Sequence, residues 1–203
     1  IMNTEAVDYY VTFDLFRLGE MQGEFIEEEL GLDEGADGPF TMEIVSGSPD
    51  DPNAQVFYNG QMSVLQEYID DGVLVVKSGQ VDFRDTATPK WESATAQARM
   101  ENVLGAYYSD DVLDVVLAAN DSTALGTISA LKSLGYGSGD RPFPIITGQD
   151  SELTAVKAIL RGEQSMTVFL DAKVLAERVL EVVTEDNWEI VIERGLYTEE
   201  DFD

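Results

Sequence analysis

The stretch Phe40-Thr41-Met42-Glu43-Ile44-Val45-Ser46-Gly47-Ser48-Pro49-Asp50-Asp51-Pro52-Asn53-Ala54 changes character twice. It opens as a strand-type apolar run and breaks at Gly47-Ser48-Pro49. It then enters a segment, 54–69, in which Ala54, Phe57, Tyr58, Met62, Leu65 and Ile69 share one helical face. A strand, a turn and an amphipathic helix make half of a β-α-β unit, and the same alternation continues in both directions. Strand-type runs recur at 7–13, 73–76, 113–118, 144–147 and 166–169, and helical patterns at 16–30, 96–107, 124–134, 153–160 and 172–183. Turn-forming residues separate them at 31–38, at 135–139 and at Gly148. Several runs are apolar without alternation, as parallel strands covered on both faces are. The expected fold class is α/β, a doubly wound parallel sheet with right-handed crossovers. There is no internal repeat and no low-complexity tract. Residues 184–203 read as an acidic helical tail that docks through Trp188, Ile190 and Val191.

Composition removes many functions at once. The chain has 203 residues, 44% of them hydrophobic, enough for one good core or two small ones. Asp and Glu number 40 against 12 Lys and Arg, a formal charge of -28, and such a surface repels a phosphate backbone. No nucleic-acid partner is expected. With neither Cys nor His, disulfides, thiolate nucleophiles, imidazole bases and ordinary zinc sites are excluded, so no metal and no cofactor is expected. No apolar run reaches the roughly 18–20 residues that cross a bilayer. The acids are spread along the chain and only five Lys are present, a balance suited to a surface that must stay hydrated in concentrated salt.

In an open parallel sheet, ligands bind beyond the carboxyl ends of the strands. Asp14, the segment 46–53, Asn120-Asp121 and Gln149-Asp150 all fall there, each an amide or carboxylate cluster ahead of a helix start. The bland alternative is that Asp14, Asp121 and Asp150 are helix N-caps, a common use of such residues. Four clusters on one edge favour a polar-ligand site. Trp91, in Thr88-Pro89-Lys90-Trp91-Glu92-Ser93, stands in a polar loop where no apolar periodicity demands a large ring. It reads as either a plug covering the core or a flat platform for a ligand, and its place on a loop favours the platform.

Sharper motifs fail. There is no Walker loop, no G-x-G-x-x-G and no G-x-S-x-G, and Ser48 has no His to activate it. A calcium loop counted from Asp33 needs a Glu where Ile44 stands, so 33–38 is a turn.

These residues resemble those of the periplasmic sugar-binding proteins of ABC importers, the xylose-binding and multiple-monosaccharide-binding branch. The stretches that carry the resemblance are Val7-Asp8-Tyr9-Tyr10-Val11-Thr12-Phe13-Asp14, Gly47-Ser48-Pro49-Asp50-Asp51-Pro52-Asn53-Ala54, Ala94-Thr95-Ala96-Gln97-Ala98-Arg99-Met100, Asn120-Asp121 with Ala124-Leu125-Gly126, and Thr147-Gly148-Gln149-Asp150. They occur in the family's order over nearly the whole chain. The resemblance implies a receptor that closes on a monosaccharide, xylose, glucose or similar, at a hinge and performs no catalysis. Its partners would be an ABC-importer permease and a chemoreceptor. The protein would be a monomer, exported to the periplasm or outer cell surface, with a lipid anchor as a further option. By motif, Trp91 would stack on the sugar, while Asn53, Asn120 and Asp150 would bond its hydroxyls. Asp14, Phe57, Asp121 and Gln149 are secondary candidates for ligand contact.

Two departures qualify the match. A basic residue is common in this branch where Leu170 stands, and the resemblance skips a segment between Val183 and Thr184. The expected organisation is therefore 1–169 as the second lobe of a two-lobed receptor, 170–183 as a helix of an otherwise missing first lobe, and 184–203 as the tail. Two other function classes are open to this fold, the effector-binding domain of a sugar-responsive repressor and a carboxylate-dependent α/β enzyme. The acidic charge gives the repressor no support.

Overall fold

The computed structural model describes residues 11–186. They divide between two compact units, one spanning Asp14–Phe169 and the other formed by the two chain ends, Ile1–Phe13 with Leu170–Asp203. The larger unit carries four strands, β1 (Phe40–Val45), β2 (Leu74–Val75), β3 (Val115–Ala118) and β4 (Ile145–Ile146), in the order β2-β1-β3-β4, all parallel. Its helices are α1 (Leu15–Leu30), α2 (Pro52–Asp70), the short α3 (Phe83–Thr86), α4 (Ser93–Tyr107), α5 (Asp121–Ser133) and α6 (Leu153–Leu160), with a 3-10 turn at Pro89–Trp91. In the smaller unit α7 (Ala172–Asp186) follows a cap in which the Asp171 carboxylate accepts the Lys173 N–H at 2.9 Å.

Side-chain alternation along the strands builds two cores, one on each face of the sheet. Met42 and Ile44 of β1 and Val115 and Leu117 of β3 pack with Ile26 of α1 and Leu65 of α2. Val45, Val116, Ala118 and Ile146 point the other way, into Met100, Val103 and Leu104 of α4 and Ile128 and Leu131 of α5. The sheet is thus covered on both faces, which is why its strands read as largely apolar runs. One charge interrupts them. Glu43 is fully buried and survives because Tyr108 Oη and Ser78 Oγ donate to its carboxylate at 2.8 and 2.6 Å, with the Ser78 N–H at 3.1 Å.

Two glycines set how closely α1 and α2 cross. A Cβ on Gly19 would stand 2.1 Å from the Phe57 carbonyl oxygen, and one on Gly60 2.1 Å from that of Phe16. The backbones themselves are in contact there, and only glycine on both sides permits it.

The helix readings agree with the structure to within a few residues, and the strand readings at the sheet's centre do as well. One strand expectation fails and another lies mostly outside the described residues. Residues 11–13 carry no strand, while 7–10 lie outside the described residues. The 166–169 run makes only an isolated bridge, Gln149 to Val168. Beside it the Ser165 hydroxyl takes the Ile146 N–H at 3.0 Å, using the donor that a regular ladder would need. Helix α7 runs on through Val183 and Thr184 to Asp186. Residues 187–203, with Trp188, Ile190 and Val191 of the expected tail, lie outside the described residues.

Candidate ligand-binding crevice at the sheet's carboxyl edge

The chain leaves β1 toward β2 on one side and returns to β3 on the other, so the order of strands reverses between β1 and β3. That reversal opens a crevice beyond the strand ends. Val45 pairs with Ala118, and the Ala119 N–H donates to the Val45 carbonyl at 3.0 Å. Two residues beyond this pair stand Gly47 on one strand and Asn120 on the other, at the same height on either side of the switch.

The β1 side holds the indole. Ser46 bridges to Ala87, its N–H donates to the Thr86 carbonyl at 2.9 Å, and Thr88 N–H donates to that of Gly47 at 3.0 Å. This short parallel track carries the chain to Lys90 and Trp91, both left-handed at φ 57° and 58°. The buried Ser48 hydroxyl accepts the Lys90 N–H at 2.7 Å and donates to Asp50 Oδ1. Trp91 is half-buried, with its ring against Gly47 and its edge toward Phe57 at 6.5 Å between centroids and 65° between planes. Phe57 is itself buried beneath that edge and supports the platform. Asn53 sits in the first turn of α2, half-buried, its N–H held by the capping carboxylate of Asp51 at 2.9 Å.

Across the switch, Asn120 caps α5. Its Oδ1 accepts the Thr123 N–H at 3.0 Å, while Thr123 Oγ1 accepts the Asn120 N–H at 3.2 Å, closing a capping box. The cap engages the amide's oxygen, and Nδ2 donates to Asp150 Oδ2 at 3.3 Å. Asp150 is exposed, at φ 97°, its N–H donated to Val168 at 3.0 Å. An amide and a carboxylate side by side offer donors and acceptors together, as a pair of neighbouring hydroxyls requires.

The neighbouring acids and amides behave differently. Asp121 is fully buried, accepting from Gln164 Nε2 at 2.9 Å and from the Glu152 N–H at 2.8 Å. Burial pushes its carboxyl above the ordinary aspartate range although those donors pull it down. Gln149 is buried too, and its backbone carbonyl accepts the Asp121 N–H at 2.9 Å. Asp14 caps α1, its Oδ1 accepting the Arg17 N–H at 3.0 Å. The capping alternative therefore holds for Asp14, whereas Asp121 follows the cap of α5 and Asp150 lies ahead of the Glu152 cap of α6.

Sequence reading missed two glutamines behind the crevice. Gln22 Nε2 donates to the carbonyls of Ala119 at 3.2 Å and Gly148 at 3.0 Å, tying β3 to β4 just past their ends, and Gln61 Nε2 donates to Gln22 Oε1 at 2.5 Å. Both are buried. Nothing in helical periodicity marks a glutamine that faces inward.

Residues 1–185 match the family described as periplasmic binding protein domain. The chain belongs to that family. As a periplasmic binding protein domain it is 52% identical over 183 residues to the multiple sugar-binding periplasmic protein SbpA of Azospirillum brasilense, covering 90% of this chain and 51% of that one. It is 36% identical over 186 residues to the D-xylose-binding periplasmic protein of Escherichia coli, covering 91% and 50%. The chain spans about half the length of these relatives. A solute-binding protein of an ABC transporter from Clostridium phytofermentans, solved with bound β-D-glucose, superimposes with a TM-score of 0.83 and 41% identity, over 100% of this chain and 72% of that one. The parallel sheet with flanking helices is thus the periplasmic binding protein fold.

Proposed function

We propose that this domain is one lobe of a solute-binding receptor that captures a monosaccharide and passes it to an ABC-importer permease without chemistry. The observation that carries this is the placement of the Trp91 ring on Gly47 on one side of the strand switch and the Asn120-Asp150 pair on the other. The indole face suits the C–H face of a pyranose, and the amide and carboxylate suit its hydroxyls. Asn53, at the start of α2, bonds a further hydroxyl. Similarity to a multiple sugar-binding protein, a D-xylose-binding protein and a β-D-glucose complex supports a sugar over other polar solutes.

In this reading 1–169 belongs to the second lobe of a two-lobed receptor, and 170–183 is a helix of the first lobe. Closure of the two on the sugar is what the permease recognises. The protein works outside the cytoplasmic membrane as a monomer, with a chemoreceptor as a second partner of the closed form. Asp14, Phe57, Asp121 and Gln149 serve the site by capping, supporting and bracing.

Calorimetric titration of the full chain against D-glucose, D-xylose and other monosaccharides tests the reading. Heat of binding with no product is expected, weaker than that of a two-lobed receptor because one lobe supplies only part of the contacts. Trp91→Ala weakens that binding by a further ~1–3 kcal/mol, the cost of losing a buried contact surface. A chain that binds no sugar, or one that converts it, overturns the proposal.

A further inference from the structure

Among the described residues, the non-glycine positions with positive φ are Lys90 at 57°, Trp91 at 58°, Asp150 at 97° and Ser151 at 54°. They form two pairs, and each pair carries one side of the crevice. Such backbone is costly without glycine and persists only where surrounding bonds impose it.

At Asp150-Ser151 the imposing bonds are all present. Asp150 N–H donates to the Val168 carbonyl at 3.0 Å, Ser151 N–H to Thr167 Oγ1 at 3.1 Å, and Glu152 N–H to Asp121 Oδ2 at 2.8 Å. Asp121 is the acceptor that comes from another element, the first residue of α5, where its neighbour Asn120 reaches Asp150 Oδ2. Space for its carboxylate is reserved by Gly148, where a Cβ would fall 2.3 Å from both Asp121 Oδ1 and Gln164 Nε2. A carboxylate with no exposed surface cannot reach a ligand, and its burial raises its pKa against the donors of Gln164, Glu152 and Thr167, with the charge of Asp150 adding to the rise. A group buried at such cost is there to hold something.

We infer that Asp121 is a positioning residue: with Thr167 it holds the left-handed Asp150-Ser151 turn, so that the Asp150 carboxylate stands beside the Asn120 amide before any sugar arrives. The inference rests on the sugar-receptor reading and assigns the preorganisation of that site to a residue that never touches the ligand.

Asparagine at 121 has the right shape but sets an NH2 against one of two donors, the Glu152 N–H or Gln164 Nε2. Asp121→Asn in the full chain therefore loses roughly tenfold to hundredfold in affinity for D-glucose or D-xylose, and Thr167→Val about three- to tenfold. In both variants amide hydrogen exchange quickens at Ser151 and Glu152 while α5 beyond its first turn stays protected, a local signature that general destabilisation does not produce. Should Asp121→Asn fail to fold, Thr167→Val decides alone through the same two measurements. Unchanged affinity in a folded variant, or weakened affinity with unaltered exchange at 151 and 152, overturns the inference and leaves the receptor reading intact. A wild-type chain that binds no sugar overturns the receptor reading and removes this role with it.

Discussion

Gly47 lies so close under the Trp91 indole that a Cβ on it would stand 2.0 Å from Cη2 and 2.4 Å from Cζ3. The ring is therefore seated on bare backbone at the carboxyl end of β1, and the loop that delivers it is fixed by Ser48 and by the Thr88 N–H.

Gly47→Ala is expected to tilt the indole off its seat. Sugar affinity falls by about 1–2 kcal/mol, the share of a stacking surface lost when its angle changes. The measurement is calorimetry together with the shift of tryptophan emission on adding sugar, which diminishes in the variant. Native affinity in Gly47→Ala would mean the ring's present seat is not the binding one.

Gly60→Ala tests the helix crossing and leaves the crevice alone. The new methyl meets the Phe16 carbonyl, a backbone atom that cannot swing aside, so α1 and α2 must separate. Urea unfolding is expected to show a loss of about 1–3 kcal/mol. A neutral result would mean that the two helices slide past each other freely.

Glu163 gives a pH prediction. Hydrogen bonds from Arg161 at 2.7 and 3.0 Å and from Lys132 at 2.7 Å hold its carboxyl down, from the ordinary 4.5 to about 2. A folded pKa below the unfolded one contributes stability above the unfolded value and loses it as pH falls toward the folded one. Glu163→Gln should thus destabilise the fold at pH 7 by about 0.5–1 kcal/mol, a modest figure because Lys132 and Arg161 are solvated. The gap between variant and wild type closes from about pH 4.5 down to pH 2. A gap independent of pH would assign the effect to packing.

The charge of -28 sets the salt response. Thermal unfolding between near-zero and molar salt should move to higher temperature as self-repulsion is screened, most steeply over the first tenth molar. A melting point that drops on first adding salt would contradict the salt-adapted surface.

Much of the fold was legible because its signals are local. Phe40–Val45 is a strand in sequence and in structure alike, since Phe40, Met42 and Ile44 make one face apolar, Val45 adds to the other, and the turn after it is spelled by Gly47-Ser48-Pro49. The run 166–169 reads as a strand because its apolar content is real, yet it forms only an isolated bridge, the Ser165 hydroxyl having taken a donor of β4. Asn53, Asn120 and Asp150 could be placed at one rim from the rule for parallel sheets alone, whereas Trp91 is marked only by its polar loop and the family resemblance. The register of Val45 with Ala118 brings the carriers of Trp91 and Asn120 to a common height.

Residue types and their spacing determined that this chain would stack strands between helices and that its polar residues would gather beyond the strand ends. The tertiary structure decided which of them stay open. Asp121 and Asp150 look alike in sequence, each beside an amide, yet one is enclosed by Gln164 and Glu152 and the other stands exposed. Burial and hydrogen-bond satisfaction depend on neighbours brought in from distant segments, and no local pattern records them.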